Sequence, residues 1–69
     1  MLYFNDIIAL AGKTRKLNNQ LRRGQCLFNA LYDINPDVAN NIRSTDSDCF
    51  YDDNKIETFF NELIKFGYI

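Results

Sequence analysis

The sequence has no histidine and no tryptophan, and among its 69 residues there are only two cysteines, three glycines and one proline. Without an imidazole, a serine or cysteine nucleophile lacks its commonest activating base, and no serine here stands in a glycine-framed elbow. Cys26 and Cys49 cannot by themselves supply the four Cys or His ligands of a structural zinc site. Two cysteines in a reducing compartment are expected as free thiols rather than as a disulfide. No catalytic residue, cofactor or metal is therefore expected, and the chain reads as a protein that is not an enzyme.

Long apolar runs are also missing. The longest candidate, residues 7–11, falls far short of the roughly 18 residues that span a bilayer. No positively charged region precedes an apolar stretch near the start, so no secretory leader and no membrane association are expected. The cytoplasm is the expected compartment.

What is present is apolar and aromatic. Apolar residues make up 46% of the chain and include six Phe and four Tyr, enough for one core. A chain of this length buries only about 60% of the surface its unfolded form exposes, so stability is expected to be marginal. Charge is segregated: up to Ile34 there are five Lys or Arg against two Asp, and from Asn35 three against seven acids. A dipolar chain of this kind either steers a partner or pairs its own halves.

Spacing predicts a single all-α domain over residues 1–69, with three to four helices at about 4–11, 15–34, 36–43 and 54–66. In the first, Phe4, Ile7, Ile8 and Ala11 share a face and Gly12 is the expected stop. In the second, Leu17, Leu21, Gly24, Leu27, Phe28, Leu31 and Ile34 form the apolar stripe, and Cys26 falls on the polar side. Gly24 lies within that stripe, where a glycine costs about 1 kcal/mol relative to alanine. Either another helix or a ring approaches its backbone, or the helix is weak or broken there. Asn35 and Pro36 close this helix and open the next, which buries Val38, Ala39 and Ile42. Residues 44–53 form an acidic, aromatic loop whose Phe50 is expected to dock on the core. Asn54 and Glu57 resemble a capping box ahead of the stripe Ile56, Phe59, Phe60, Leu63 and Ile64, and Gly67 ends the last helix.

Three motifs suggest chemistry. Ala11-Gly12-Lys13-Thr14 looks like the end of a phosphate loop, but Ile7 occupies the position of the required first glycine. Asp46, Asp48, Asp52, Asn54 and Glu57 fit positions 1, 3, 7, 9 and 12 of a calcium loop. Phe50 and Tyr51 break that register at positions 5 and 6, so helix caps and turns are the simpler reading. Lys13, Arg15, Lys16, Arg22 and Arg23 form a basic segment with no acid inside it, as a nucleic-acid-binding helix would have. The remainder of the chain is acidic, and a solvated face is the commoner outcome for such a segment.

The stretch from Arg23-Gly24-Gln25 through Leu27-Phe28-Asn29-Ala30-Leu31-Tyr32, Asn35-Pro36, Ala39, Ile42-Arg43, Thr45-Asp46 and Phe50-Tyr51-Asp52-Asp53 resembles a family of short uncharacterised bacteriophage and prophage proteins. The resemblance covers a little over half of the chain, from about Arg22 to Phe60. It implies a phage accessory protein and carries over no functional residues. By analogy with such proteins, the leading expectation is binding and modulation, as an inhibitor or otherwise, of a host or phage protein. The candidate surface is Arg22, Arg23, Gln25, Asn29, Asp48, Phe50, Tyr51, Asp52 and Asp53, because arginine and aromatic side chains most often anchor interfaces. The alternative is nucleic-acid binding through Lys13, Arg15, Lys16, Arg22 and Arg23. A symmetric homodimer is a third expectation, since it could complete a marginal core.

Overall fold

The computed structural model describes residues 4–68. Leu2, Tyr3 and Ile69, which the sequence places in the first apolar cluster and the tail, lie outside that range. The chain is all-α: α1 spans Phe4–Leu17, α2 Arg23–Ile34, α3 Pro36–Ile42 and α4 Ile56–Lys65, with a 3₁₀ turn at Asp53–Lys55 leading into α4. No strand forms among the described residues. None of these helices is long and apolar enough to cross a membrane.

The central element is α2, which packs against α1 on one side and α3 on another. Gly24, Cys26, Leu27, Phe28, Ala30 and Leu31 are all buried on it, a band wider than one amphipathic stripe. Ile7 and Ala11 of α1, Ala39 and Ile42 of α3, Cys49 of the loop, and Phe59 and Leu63 of α4 complete the core. Cys26 is therefore not on a polar side. It is 1% exposed, because a helix with neighbours on two sides buries positions that a one-sided helix would leave in water.

The long second helix predicted at 15–34 is two helices. Gly12 does not stop α1, which runs on to Leu17; the break falls at residues 18–22. Asn18 explains it. Its amide still closes the last turn onto the Thr14 carbonyl at 3.0 Å, but its side-chain Oδ1 accepts the Gln20 amide at 3.2 Å. A side chain that bonds backbone two residues ahead competes with the helix, and a second asparagine follows it. The stripe is corrected accordingly: Leu17 is 81% exposed at the end of α1, and Ile34 is exposed at the end of α2.

The third helix is as expected, with Asn35 accepting the Val38 amide at 3.3 Å and Pro36 in its first turn. The fourth begins differently. Asn54 and Glu57 do not make a capping box; Asp52 caps the 3₁₀ turn by accepting the Asn54 amide at 2.9 Å. Ile64 is exposed, since α4 seats on the core through Phe59 and Leu63 and its stripe is narrower than the pattern suggests. At the far end Gly67 has φ +72°. The Tyr68 amide reaches the Leu63 carbonyl at 2.8 Å and the Gly67 amide reaches that of Ile64 at 3.0 Å. This is the paired closure that a left-handed residue after a helix permits.

Candidate functional site

Residues 44–53 carry few apolar side chains, yet they are held at many points. Arg43 ends α3 and Ser44 turns into the left-handed region, φ 64°. Asp48 fixes that turn with both carboxylate oxygens: Oδ2 accepts the Ser44 amide at 2.8 Å and Oδ1 the Phe50 amide at 2.9 Å. The Thr45 hydroxyl donates to the Ile42 carbonyl at 2.6 Å and accepts the Ser47 amide at 3.2 Å. Asp, Ser and Thr stabilise such turns because their short side chains reach backbone two to four residues away.

The loop is then tied to the start of α2. The Cys49 thiol donates to the Gly24 carbonyl at 3.2 Å, and the Gly24 amide donates to Asp53 Oδ1 at 3.0 Å. Arg22 Nη2 donates to the Phe50 carbonyl at 2.7 Å, while its Nε lies 3.9 Å from Asp53 Oδ1. The first turn of α2 has no cap from its own N-cap residue, Arg22, so Asp53 serves as a cap from a distant part of the chain. Gly24 is where the loop comes closest: a Cβ there would overlap the Cys49 carbonyl oxygen and stand 3.0 Å from Asp53 Oδ1. The expected close approach to Gly24 is real, but it is made by loop backbone rather than by a helix or a ring.

Burial, and after it the negative charge of Asp48, push the Cys49 thiol up to about 12. It therefore stays protonated at neutral pH and is a poor nucleophile. Both cysteines are buried and unpaired. Asp48 and Asp52 spend their carboxylates on backbone amides, and among the described residues no three Cys, Asp or Glu come together as metal ligands.

On the outer side of the loop the aromatic residues are ordered. Phe50 is half-buried and meets buried Phe28 edge-on, with ring centroids 5.8 Å apart. Tyr51 packs edge-on against Phe50 at 4.7 Å and is 81% exposed. The Arg43 guanidinium lies 5.5 Å from the Tyr32 ring centroid and 5.8 Å from that of Phe28. Arg43, Asp48, Phe50 and Tyr51 share a shallow depression of about 290 Å³.

The nine predicted surface residues take different places, with Arg22, Asp48, Phe50, Tyr51 and Asp53 linked by direct contacts. Arg22 and Asp53 join the loop to α2. Asp48 and Asp52 shape the loop, and Phe50 seats it. Arg23 is exposed and lines a different cleft together with Arg15. Gln25 and Asn29 are half-buried on α2. Of the nine, Tyr51 alone combines an interface-type side chain with near-complete exposure on a fixed base. Sequence reasoning missed Arg43 and Tyr32. Both stand between Arg23 and Asp53, but only the turn from α2 into α3 brings the guanidinium over the ring. In the basic segment, Lys13, Arg15 and Lys16 are exposed near the end of α1, Arg22 lies in the break that follows, and Arg23 opens α2. The chain matches no protein-family model, no curated protein and no solved structure.

Proposed function

We propose that this chain is a small non-enzymatic accessory protein of the bacteriophage type, which binds a host or phage protein in the bacterial cytoplasm and modulates it. The observation that carries the reading is the exposed Tyr51 ring, seated on Phe50 beside an Arg43 already stacked on Tyr32. Tyrosine and arginine held in advance lose little side-chain freedom on binding, which is what an interface anchor requires. The phage context rests on the sequence pattern alone.

A photo-crosslinking amino acid placed at position 51, with one at exposed Asn61 as control, tests this in bacterial cells producing the protein. The expected result is a discrete adduct with one protein at position 51 that disappears with Arg43→Glu. Equal adducts at both positions, or none at position 51, would remove the reading.

Nucleic-acid binding through Lys13, Arg15, Lys16, Arg22 and Arg23 has one observation in its favour, the exposure of Lys13, Arg15 and Lys16 together at the end of α1. It is weakened by Arg22, whose guanidinium is committed to the Phe50 carbonyl. Retention on heparin or DNA that falls steeply with salt would restore it.

A further inference from the structure

An apolar cleft of about 260 Å³ lies where α1, the start of α2 and the start of α4 meet. Ile8 of α1, Leu27 of α2 and Ile56 of α4 line it, together with Arg15 and Arg23. It shares no lining residue with the Tyr51 depression, so the two are separate sites and neither depends on the other. We infer that this cleft receives the apolar face of an acidic helix from a partner protein.

Three observations carry the inference. The first is charge. Among the described residues no carboxylate lines the cleft, and neither Arg15 nor Arg23 makes an ion pair or a side-chain hydrogen bond; the acidic half supplies its one such ion pair to Arg22 instead. Two exposed guanidinium groups beside an apolar surface match an occupant that carries carboxylates next to apolar side chains.

The second is Gly12, which lies within α1 and lines the cleft. Glycine is the poorest helix former after proline and costs about 1 kcal/mol relative to alanine within a helix, a cost that is offset where something must approach the backbone closely. Here a Cβ would meet nothing within 4 Å. The molecule itself gives no reason for the missing side chain, whereas a helix laid into the cleft would pass close to that backbone.

The third is size. The cleft is smaller than the roughly 300–1,000 Å³ typical of small-molecule sites. It suits one or two large side chains presented by a folded segment, the helix-in-groove mode of recognition.

The test uses the full chain and a displayed library of random 12-residue peptides, with Gly12→Leu and the double variant Arg15→Glu with Arg23→Glu as controls. Gly12→Leu projects a side chain into the cleft from a position with free space, so it should fold and melt higher by about 2–8 °C. The inference expects enriched peptides to be acidic, with apolar residues three and four positions apart. Their affinity should drop by about tenfold or more with either variant and fall as salt rises. Enriched peptides without excess acid, binding unchanged in folded Gly12→Leu, or no enrichment at all would overturn it. So would occupancy by another class: a concentration-dependent dimer abolished by Gly12→Leu would put a second copy in the cleft. DNA binding lost with the arginines but retained in Gly12→Leu would make them a phosphate-contacting pair.

Discussion

The Gly24 amide donates to the carboxylate of Asp53 at 3.0 Å across 29 positions of sequence. A helix that starts after an arginine thus obtains its cap from the loop that leads into the last helix. The same contact helps to anchor that loop beside α2, so one carboxylate contributes both to the helix start and to the loop position.

Asp53→Ala should cost about 1 kcal/mol, the usual loss for removing an N-cap acceptor. That corresponds to a melting temperature lower by about 4–8 °C in a domain of this size. Asp53→Asn keeps an acceptor and should lose less than half as much. Thermal denaturation followed by circular dichroism measures both. Equal stability of Asp53→Ala and the parent chain would show that the contact contributes nothing.

The two helical glycines should respond to alanine with opposite signs. At Gly24 a methyl group would overlap the Cys49 carbonyl oxygen, and overpacking of that kind costs about 1–3 kcal/mol. At Gly12 a Cβ meets open space, so the gain in helix propensity of about 0.5–1 kcal/mol is realised. Urea denaturation of Gly12→Ala and Gly24→Ala is the check. A stabilised Gly24→Ala would mean that the loop does not press on α2 there.

Cys49 should make the fold sensitive to alkali. Its thiol ionises near 9 in the unfolded chain but is raised to about 12 in the folded one. Its contribution is therefore complete below pH 9 and is lost as pH rises from 9 towards 12, where the unfolded state releases the proton first. The slope is at most about 1.4 kcal/mol per pH unit. Cys49→Ser keeps a donor towards the Gly24 carbonyl and removes the titration. Stability measured from pH 7 to 11 should fall less steeply in this variant than in the parent chain, and parallel curves would contradict the assignment.

Tyr51→Ala should leave the melting temperature within about 2 °C of the parent, since an exposed side chain away from the core contributes little to stability. Arg43→Glu should lower it by about 4–8 °C or more through two lost ring contacts, each worth about 0.5–1 kcal/mol. Both should abolish the captured partner, and Arg43→Glu should also abolish the adduct formed from position 51. Retention of that partner by folded Tyr51→Ala, measured by quantitative capture, would separate the ring from recognition.

The helices are legible in the sequence where period and punctuation agree. Asn35 and Pro36 mark a boundary that local sterics impose, Gly67 supplies a left-handed stop, and Phe28, Phe59 and Leu63 are in the core where their spacing puts them. The break at 18–22 is hidden because the leucines at 17 and 21 continue the helical period through it, while the deciding event is one hydrogen bond that the Asn18 side chain accepts from the Gln20 amide. Cys26 is misplaced by an amphipathic projection because that projection assumes one buried side, and α2 has two. The acidic loop looks like a binding surface because carboxylates that hold turns and cap helices are the same residue types as those that hold ions. Residue type does not reveal that Asp53 reaches back to Gly24 while Tyr51 reaches into solvent. Arg43 over Tyr32 is a tertiary pairing with no local signature.

Amide hydrogen exchange tests most directly whether residues 44–53 form a fixed platform for Tyr51. The Gly24 amide held by Asp53 and the Ser44 and Phe50 amides held by Asp48 should be protected in the parent chain, and Gly24 should lose protection in Asp53→Ala while the middle of α2 keeps it. Exchange of all three at the rate of an unstructured chain, with α2 still protected, would mean that the loop moves freely and that Tyr51 has no fixed base.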